Sequence, residues 1–318
     1  MRITSRAALV FGLLAGLVAP VPLTSGTASA AAPATAAAPA AAPASVPASA
    51  PASAPAPGVH KRTVTMNGGW RREYLLKVPA GRPAARPRPL VVALHGGLND
   101  MNYLRESTGL DGLADRKGFL VAYPNGFLGS WNAGGCCFLA RLAGIDDVGF
   151  LDRLIASLVR SGQADPRRIY LTGFSNGGGM AYRYACERSG TVAAVGVVSG
   201  SLATPCKPAR PISVIAFHGT ADFSVPYLGG GNLDWDNKAP FPSVAQVIDF
   251  WVRANLLRPL RDVVLNARDT VCRASPPARS AVTLCTIAGG GHEWPRGTGK
   301  GVDAGPVIWD FFARHPKA

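Results

Sequence analysis

Short apolar runs alternate with stretches of helical spacing along residues 59–318. Seven runs predict strands, at residues 59–66, 72–78, 89–94, 119–123, 169–171, 192–198 and 212–217. The first two alternate polar and apolar positions around Asn67-Gly68-Gly69, a pattern that predicts an antiparallel pair. The later runs are mostly continuous, as expected of strands that are buried on both faces of a sheet.

Helical spacing occupies the stretches between these runs. Helices are predicted over residues 110–117, 148–161 and 243–255, over the stretch that follows residue 175, and over 307–314. Residues 263–265 and 282–287 are predicted to be the strands of a hairpin. Because helices alternate with buried strands, the pattern predicts an α/β fold with a mostly parallel central sheet and helices on both faces.

The first 58 residues differ in composition from the rest. Residues 1–30 combine two arginines, an apolar stretch and a small-residue exit ending at Ala30, which is the layout of a secretory signal peptide. The apolar stretch is too short to span a membrane, so no stable span is expected after cleavage. Residues 31–58 are almost wholly Ala, Pro and Ser, which predicts a disordered spacer. Residues 59–318 are expected to form a single domain.

The chain is strongly basic, with a formal net charge of +14 at pH 7. Such a charge can favour nucleic acid, anionic cell walls or acidic polymers as partners. The arginines are scattered, however, and no basic helix with interleaved aromatic residues is present. A solvated basic surface is the simpler interpretation, and no nucleic-acid partner is expected.

Six cysteines in a chain with an export signal favour disulfides over metal sites. We favour pairing Cys186 with Cys206, and Cys272 with Cys285, because the second pair flanks a Pro-Pro turn. A vicinal bridge, a redox role and a cross-pairing all stay open for the adjacent cysteines at 136–137. No second C-x-x-C or H-x-x-H pair is present, so no metal site is expected.

One stretch carries the motif on which the functional interpretation depends. Gly173-Phe174-Ser175-Asn176-Gly177 fits G-x-S-x-G and lies between a predicted strand and a helical stretch. In this motif the serine occupies a strained turn, and the two glycines let the strand and the helix pass closely. Ser175 is therefore the candidate nucleophile.

Two later residues complete a candidate triad. Asp222 follows the strand predicted at 212–217, and His292 follows the strand predicted at 282–287. A serine hydroxyl is a weak nucleophile at neutral pH, so a histidine must accept its proton and a carboxylate must orient that histidine. The order Ser175, Asp222, His292 is the order of a triad in the α/β-hydrolase fold.

The oxyanion of the tetrahedral intermediate also needs hydrogen-bond donors. The backbone N–H of Asn176 is predicted to be one donor, and the backbone N–H of Gly97 or Leu98, just after the strand at 89–94, is predicted to be the other. No metal or organic cofactor is expected for this chemistry.

Together, several motifs resemble the secreted polyhydroxybutyrate depolymerase and feruloyl esterase family. They are L-H-G-G at 94–97, W-N at 131–132 with C-C at 136–137, D-D-V-G-F at 146–150, G-F-S-N-G-G at 173–178, H-G-T-A-D at 218–222 with V-P-Y at 225–227, and G-H-E-W-P at 291–295. The resemblance covers roughly residues 63–312. It implies an α/β-hydrolase catalytic domain in which Ser175, Asp222 and His292 are the triad.

The resemblance implies an extracellular serine carboxylic ester hydrolase that works through an acyl-enzyme. Its expected substrates are 3-hydroxyalkanoate polyesters or oligomers, and the alternative is a feruloyl or acetyl ester on plant polysaccharide. Trp131 and Trp294 are predicted to line the substrate cleft, and aromatic walls would favour feruloyl esters. Several polymer-degrading relatives carry an extra substrate-binding domain that is not visible here, which favours soluble oligomers or ester side groups.

Two other functions are weighed against an esterase. A wall-associated binding protein that no longer turns over would fit the basic charge, but the intact triad residues argue against it. A peptidase would use the same triad, yet no propeller or lid domain that would select peptides is visible in the sequence.

Overall fold

The alternating residues near the start of the domain form the antiparallel pair that the sequence predicts. They are β1 (Gly58–Thr65) and β2 (Arg71–Val78), paired along their whole length. The turn between them is a single turn of 3-10 helix in which Gly68 has a φ of 75°. Glycine adopts this left-handed conformation without a steric penalty.

The computed structural model of the chain describes residues 55–81, 87–231 and 240–317. The signal peptide predicted over residues 1–30 lies outside these ranges, as does the spacer predicted over 31–58 apart from its last residues. Among the described residues, no helix is long and apolar enough to cross a membrane.

Eight further strands and seven helices follow in the described residues. The strands are β3 (Arg88–Leu94), β4 (Leu120–Pro124), β5 (Ala164–Phe174), β6 (Ala194–Val198), β7 (Ser213–Gly219), β8 (Asp262–Ala267), β9 (Thr270–Ala274) and β10 (Val282–Ile287). The helices are α1 (Met101–Thr108), α2 (Leu110–Lys117), α3 (Phe138–Leu142), α4 (Asp147–Arg160), α5 (Asn176–Glu187), α6 (Val244–Ala254) and α7 (Ala304–Arg314).

The ten described strands form one sheet in the order β1-β2-β4-β3-β5-β6-β7-β10-β9-β8. The six strands from β4 to β10 in that order pair in parallel, and the strands at the two ends pair antiparallel. This is the mostly parallel sheet that the sequence predicts. Since parallel strands end at the same edge, the loops after β3, β5, β7 and β10 meet there, where ligand sites form in such sheets.

Side chains from both faces of the sheet are buried under helices. Alternate residues of a strand point to opposite faces, so Leu90, Val92 and Leu94 pack with α4, α5 and α6, whereas Val91 and Ala93 pack with α1, α2 and α7. Full burial of one such aliphatic side chain stabilises the fold by roughly 1.5–3 kcal/mol. The two apolar layers hold the sheet rigid beneath the loops at its carboxyl edge.

Three elements differ from the sequence-based expectation. The predicted strands at 263–265 and 282–287 do not pair with each other, because β9 lies between them and pairs with both. The helix α1 was not predicted, although Asp100 caps it by accepting hydrogen bonds from two backbone N–H groups at 2.9 Å. The helix α3 has only five residues, too short for its apolar spacing to be recognised.

All six cysteines are paired in the structure. Cys186 at the end of α5 is joined to Cys206, and Cys272 is joined to its cross-strand neighbour Cys285. These are the two pairings favoured from the sequence. The remaining pair joins the adjacent residues at 136–137.

Candidate active site

Ser175 lies at the sharp turn between β5 and α5. Its φ and ψ are 53° and −121°, a conformation that strains any residue with a side chain. A Cβ on Gly173 would collide with the carbonyl oxygen of Gly177, and a Cβ on Gly177 would collide with the carbonyl oxygens of Leu94 and His95. Both glycines of the G-x-S-x-G motif are therefore required by close backbone contacts.

The structure brings the three predicted triad residues into one hydrogen-bonded chain. The Ser175 Oγ lies 2.9 Å from His292 Nε2. On the other side of the ring, His292 Nδ1 lies 2.9 Å from Asp222 Oδ2 and 3.0 Å from Oδ1. Although Ser175 occupies the position before α5, its side chain caps no backbone N–H of that helix. Its hydroxyl is thus left to hydrogen-bond with the imidazole.

The carboxylate of Asp222 is buried and accepts several hydrogen bonds. The backbone N–H groups of Ser224 and Val225 donate to its Oδ1 at 3.0 and 2.9 Å. His218 Nε2 lies 3.4 Å from its Oδ2. Burial alone would raise the pKa of Asp222, but the hydrogen bonds from His218, His292 and the Val225 N–H outweigh it and hold that pKa far below its usual range. Asp222 is therefore ionised at neutral pH.

Backbone hydrogen bonds join the loop that carries Asp222 to the loop that carries His292. The parallel strands β7 and β10 end side by side, with Gly219 opposite Ile287. Beyond them, the Thr220 N–H donates to the Ile287 carbonyl at 3.0 Å, and the Ala221 N–H donates to the Gly290 carbonyl at 2.9 Å. A Cβ on Gly219 would collide with the Gly290 carbonyl oxygen. The glycines before Asp222 and His292 thus let the two loops lie in contact.

The side chain of Asn176 is fully engaged by a neighbouring loop. Its Oδ1 accepts from the Trp131 N–H at 2.7 Å, and its Nδ2 donates to the Trp131 carbonyl at 2.9 Å. Asn176 is also the first residue of α5, and the first N–H groups of a helix have no acceptor within the helix. The predicted oxyanion donor is therefore a backbone group on a residue whose side chain is fixed.

The other predicted donors lie on the loop after β3. A Cβ built on Gly96 would lie 3.5 Å from the Ser175 Cβ, so this loop passes beside Ser175. Gly97 packs so closely on the Phe138 ring that a Cβ would collide with it. Leu98 has a φ of 59° and a side chain that is 76% exposed. Of the two predicted donors, Gly97 is in close contact with the Phe138 ring, whereas Leu98 is exposed to solvent.

The buried side chain of His95 fixes the same loop by two hydrogen bonds. Its Nδ1 donates to the Gly96 carbonyl at 2.7 Å, and its Nε2 accepts from the Gly126 N–H at 2.8 Å. Burial lowers the pKa of His95 to about 4, although the hydrogen bond to Gly96 acts in the opposite direction. The imidazole is therefore neutral at pH 7, with its proton on Nδ1.

The two tryptophans predicted to line the substrate cleft lie in the core instead. Trp131 is 0% exposed, and its Nε1 donates to the His95 carbonyl at 3.0 Å. Trp294 is 8% exposed and packs with residues of α2 and α7. An aromatic residue in an active-site loop can either line the substrate cleft or pack inside the protein. Here the hydrogen bond of Trp131 and the apolar neighbours of Trp294 show that both residues pack inside the protein.

A buried ion pair that the sequence did not indicate supports the loop between β4 and α3, which carries Trp131 (the Trp131 loop). Arg72 donates to Asp147 Oδ1 at 2.7 Å, and both side chains are almost completely buried. Asp147 Oδ2 accepts from the Asn132 N–H at 2.7 Å. The Arg72 guanidinium also lies 4.1 Å from the centre of the Phe150 ring. Because Arg72 and Asp147 are 75 positions apart, no local sequence pattern indicates their pairing.

A cavity of about 120 Å³ opens beside Ser175. Phe138 and Phe241 contribute aromatic walls, and Val225, on the loop that carries Asp222, contributes an apolar one. The disulfide-linked cysteines at 136–137 form another part of the lining. Ser201 also lines it, a residue that the sequence interpretation missed although it follows the end of β6. The cavity is mostly apolar, as an acyl-binding pocket requires.

The sequence of the chain is similar to that of known esterases. The family described as esterase PHB depolymerase matches residues 72–222. A protein named "Putative esterase NocK", from Nocardia uniformis subsp. tsuyamanensis, is 31% identical over 249 residues, which cover 72% of this chain and 72% of that protein. The chain belongs to the polyhydroxybutyrate depolymerase and feruloyl esterase family.

Other relatives of this esterase are fungal. Feruloyl esterase B of Piromyces equi is 30% identical over 252 residues, 76% of this chain but 44% of that protein. Feruloyl esterase C of Emericella nidulans is 34% identical over 188 residues, 56% of this chain and 66% of that protein. Among solved structures, an acetyl xylan esterase from Aspergillus awamori has the same fold, with a TM-score of 0.56 at 16% identity, over 80% of this chain and 99% of that one. The family identifies the protein as a carboxylic ester hydrolase of the α/β-hydrolase fold.

Proposed function

We propose that the protein is a serine esterase that transfers the acyl group of its substrate to Ser175. One observation carries the proposal, the continuous hydrogen-bonded chain from Ser175 through His292 to the buried carboxylate of Asp222. Each contact is about 3 Å long, the range in which a base can take a proton from a nucleophile. The ionised state of Asp222 suits an orienting carboxylate.

The first half of the reaction forms the acyl-enzyme. Ser175 Oγ attacks the ester carbonyl carbon while His292 Nε2 takes its proton, and Asp222 stabilises the resulting imidazolium. The backbone N–H of Asn176, with that of Gly97 as the second donor, hydrogen-bonds the developing oxyanion. The carbon–oxygen bond to the alcohol then breaks, and His292 returns the proton to the leaving alkoxide.

The second half releases the acid. A water molecule donates its proton to His292 Nε2 and attacks the acyl carbonyl, so the same oxyanion donors act again. Collapse of this intermediate breaks the bond to Ser175 Oγ, which recovers the proton from the imidazolium. No step requires a metal or an organic cofactor.

Hydroxycinnamoyl esters, of the feruloyl type, are the substrates that we favour. The two phenylalanines of the cavity, Phe138 and Phe241, offer faces for an aromatic acyl group. The names of two fungal relatives, both feruloyl esterases, support the same class. Oligomers of 3-hydroxyalkanoates are the second candidate, supported by the description of the matching family and by the small, mostly apolar cavity.

We also propose that the enzyme acts outside the cell. The predicted signal peptide at residues 1–30 and the pairing of all six cysteines in disulfides support this location.

The nucleophile is tested by Ser175→Ala with p-nitrophenyl butyrate and methyl ferulate as substrates. We expect kcat to fall about 10⁴-fold or more, because the remaining donors and binding contacts give only residual catalysis. Ser157→Ala, on the helix α4 away from the cavity, is the matched control and should keep the wild-type rate. Hydrolysis by Ser175→Ala at the wild-type rate would reject the proposal.

A further inference from the structure

Ser201 has a buried hydroxyl without a hydrogen-bond partner. The residue is only 6% exposed, and its Oγ contacts no donor or acceptor in the part of the chain that the structure describes. Such a group costs free energy in the folded protein, so buried polar atoms without partners are rare and each requires an explanation.

The backbone around Ser201 sets this residue close to the proposed nucleophile. After β6, Gly200 packs against Gly178 in the first turn of α5, where a Cβ on Gly200 would lie only 2.9 Å from the Gly178 Cα. The next residue, Ser201, places its carbonyl oxygen 3.1 Å from a Cβ built on Gly179. Gly179 donates its N–H to the Ser175 carbonyl at 3.0 Å. Ser201 therefore lies about one helical turn, or roughly 5 Å, from Ser175 along the axis of α5.

Two of the neighbouring polar side chains of the cavity already have partners, and a third, Ser224, is exposed to solvent. Ser175 is hydrogen-bonded to His292, and both polar atoms of the Asn176 amide are bonded to the Trp131 backbone. Ser201 lines the same cavity, and its buried hydroxyl is not hydrogen-bonded to a protein atom. After a rotation of the serine side chain, the hydroxyl can donate to an oxygen of a bound molecule without breaking a hydrogen bond in the protein.

We propose that Ser201 is a specificity-determining residue that hydrogen-bonds an oxygen substituent on the acyl group of the substrate. The inference rests on the proposed function, since it assigns the acyl group to the cavity beside Ser175. The apolar side chains of Phe138, Phe241 and Val225 bind the hydrocarbon part of the acyl group and cannot hydrogen-bond its oxygen.

Two acyl groups have the required chemistry. A 4-hydroxycinnamoyl group carries its oxygen on the ring, and a 3-hydroxybutyryl group carries its oxygen on the third carbon. Cinnamoyl and butyryl groups have nearly the same shape without that oxygen. With these two unsubstituted groups bound, the Ser201 hydroxyl stays buried and unpaired, and a site built for a hydroxyl discriminates against a substrate that lacks one.

The experiment compares kcat/KM for two matched pairs of methyl esters. One pair is 4-hydroxycinnamate and cinnamate, and the other is 3-hydroxybutyrate and butyrate. We expect the wild-type enzyme to prefer the oxygenated member of one pair by about tenfold or more. In Ser201→Ala that preference should disappear, with most of the loss on the oxygenated ester. Ser201→Thr, which keeps a hydroxyl, should retain it.

A thermal melt separates this role from a structural one. Because Ser201→Ala removes an unpaired polar group from the interior, its Tm should equal or exceed that of the wild type. A preference lost only in the cinnamate pair identifies the aromatic class, and a preference lost only in the butyrate pair identifies the hydroxyalkanoate class.

The inference is overturned if the wild-type preferences persist in Ser201→Ala or if both members of each pair slow equally. It is equally overturned if the wild type prefers neither oxygenated ester. These outcomes leave the esterase proposal intact as long as Ser175→Ala abolishes hydrolysis. If the wild type hydrolyses none of the four esters nor p-nitrophenyl butyrate, the proposed function fails and the role of Ser201 fails with it.

Discussion

The loops after β7 and β10 are fixed mainly by their own backbones, whereas the loop between β4 and α3 is fixed by side chains from distant parts of the chain. In the first region, Thr220 and Ala221 donate to carbonyls of the neighbouring loop. In the second region, Arg72 holds Asp147, which in turn accepts from the Asn132 N–H. The first region carries the proposed acid and base, and the second supports Asn176, the proposed oxyanion residue, through Trp131.

This difference determines whether a single substitution affects catalysis alone or also affects the stability of the loop. A loop fixed by backbone contacts keeps its shape when a functional side chain is lost. The substitution therefore changes the catalytic activity and leaves the fold unchanged. A loop fixed by one buried ion pair loses its support when that pair is broken, so the substitution changes stability and geometry together.

The largest effect is expected from Asp222→Asn. The amide keeps the shape of the carboxylate but can neither stabilise the imidazolium nor hold the required tautomer of His292, so kcat should fall about 10⁴-fold. Steady-state kinetics with p-nitrophenyl butyrate measure the loss. A crystal structure or a near-UV circular dichroism spectrum should show an unchanged fold. A fall in kcat of less than tenfold would mean that another carboxylate orients the histidine.

The same difference explains which residues sequence patterns could predict. Ser175, Asp222 and His292 each follow a strand, and their glycines are local signals that the chain must turn sharply or pass close to another backbone. The parallel sheet was predictable for a similar reason, since the apolar runs of its strands are continuous. These features depend on short stretches of sequence.

Other features depend on contacts that no short stretch contains. The pair of Arg72 and Asp147 is separated by 75 positions, and the burial of Trp131 follows from that pair and from the His95 carbonyl. Ser201 lines the cavity next to the close contact of Gly200 with Gly178, which lie 22 positions apart. A tryptophan or a serine in a loop gives no sign of which way it will turn, so the acyl cavity could not be predicted.

The second prediction concerns the ion pair between Arg72 and Asp147, which supports the loop between β4 and α3. Arg72→Met replaces the guanidinium over the Phe150 ring by a thioether, which also packs well on aromatic rings. It leaves the Asp147 carboxylate buried without its ion-pair partner, which should lower the free energy of unfolding by about 3–5 kcal/mol. Urea denaturation followed by tryptophan fluorescence measures the change. We also expect a lower kcat, because the Trp131 loop supports Asn176.

A double variant tests whether the unpaired charge is the cause. Arg72→Met combined with Asp147→Asn removes both charges and keeps an amide oxygen for the Asn132 N–H. It should recover part of the stability that Arg72→Met loses. If the double variant is less stable than the single one by a further full increment, the two residues act independently and the proposed support of the loop is wrong.

The smallest effect is expected from the pH dependence of His95, which fixes the loop after β3. Its pKa is about 4 in the folded protein and about 6.5 in an unfolded chain. As the pH falls from 6.5 to 4, the unfolded chain binds a proton that the folded protein does not bind, so stability is lost over this range. The loss is about 3 kcal/mol in total, at about 1.4 kcal/mol per pH unit. His95→Gln lacks this titration, so the stability of the wild type relative to the variant should fall by about 3 kcal/mol between pH 6.5 and pH 4. Urea denaturation of both proteins at intervals across the range measures the difference, and a difference that stays constant with pH would show that His95 is not held neutral by burial.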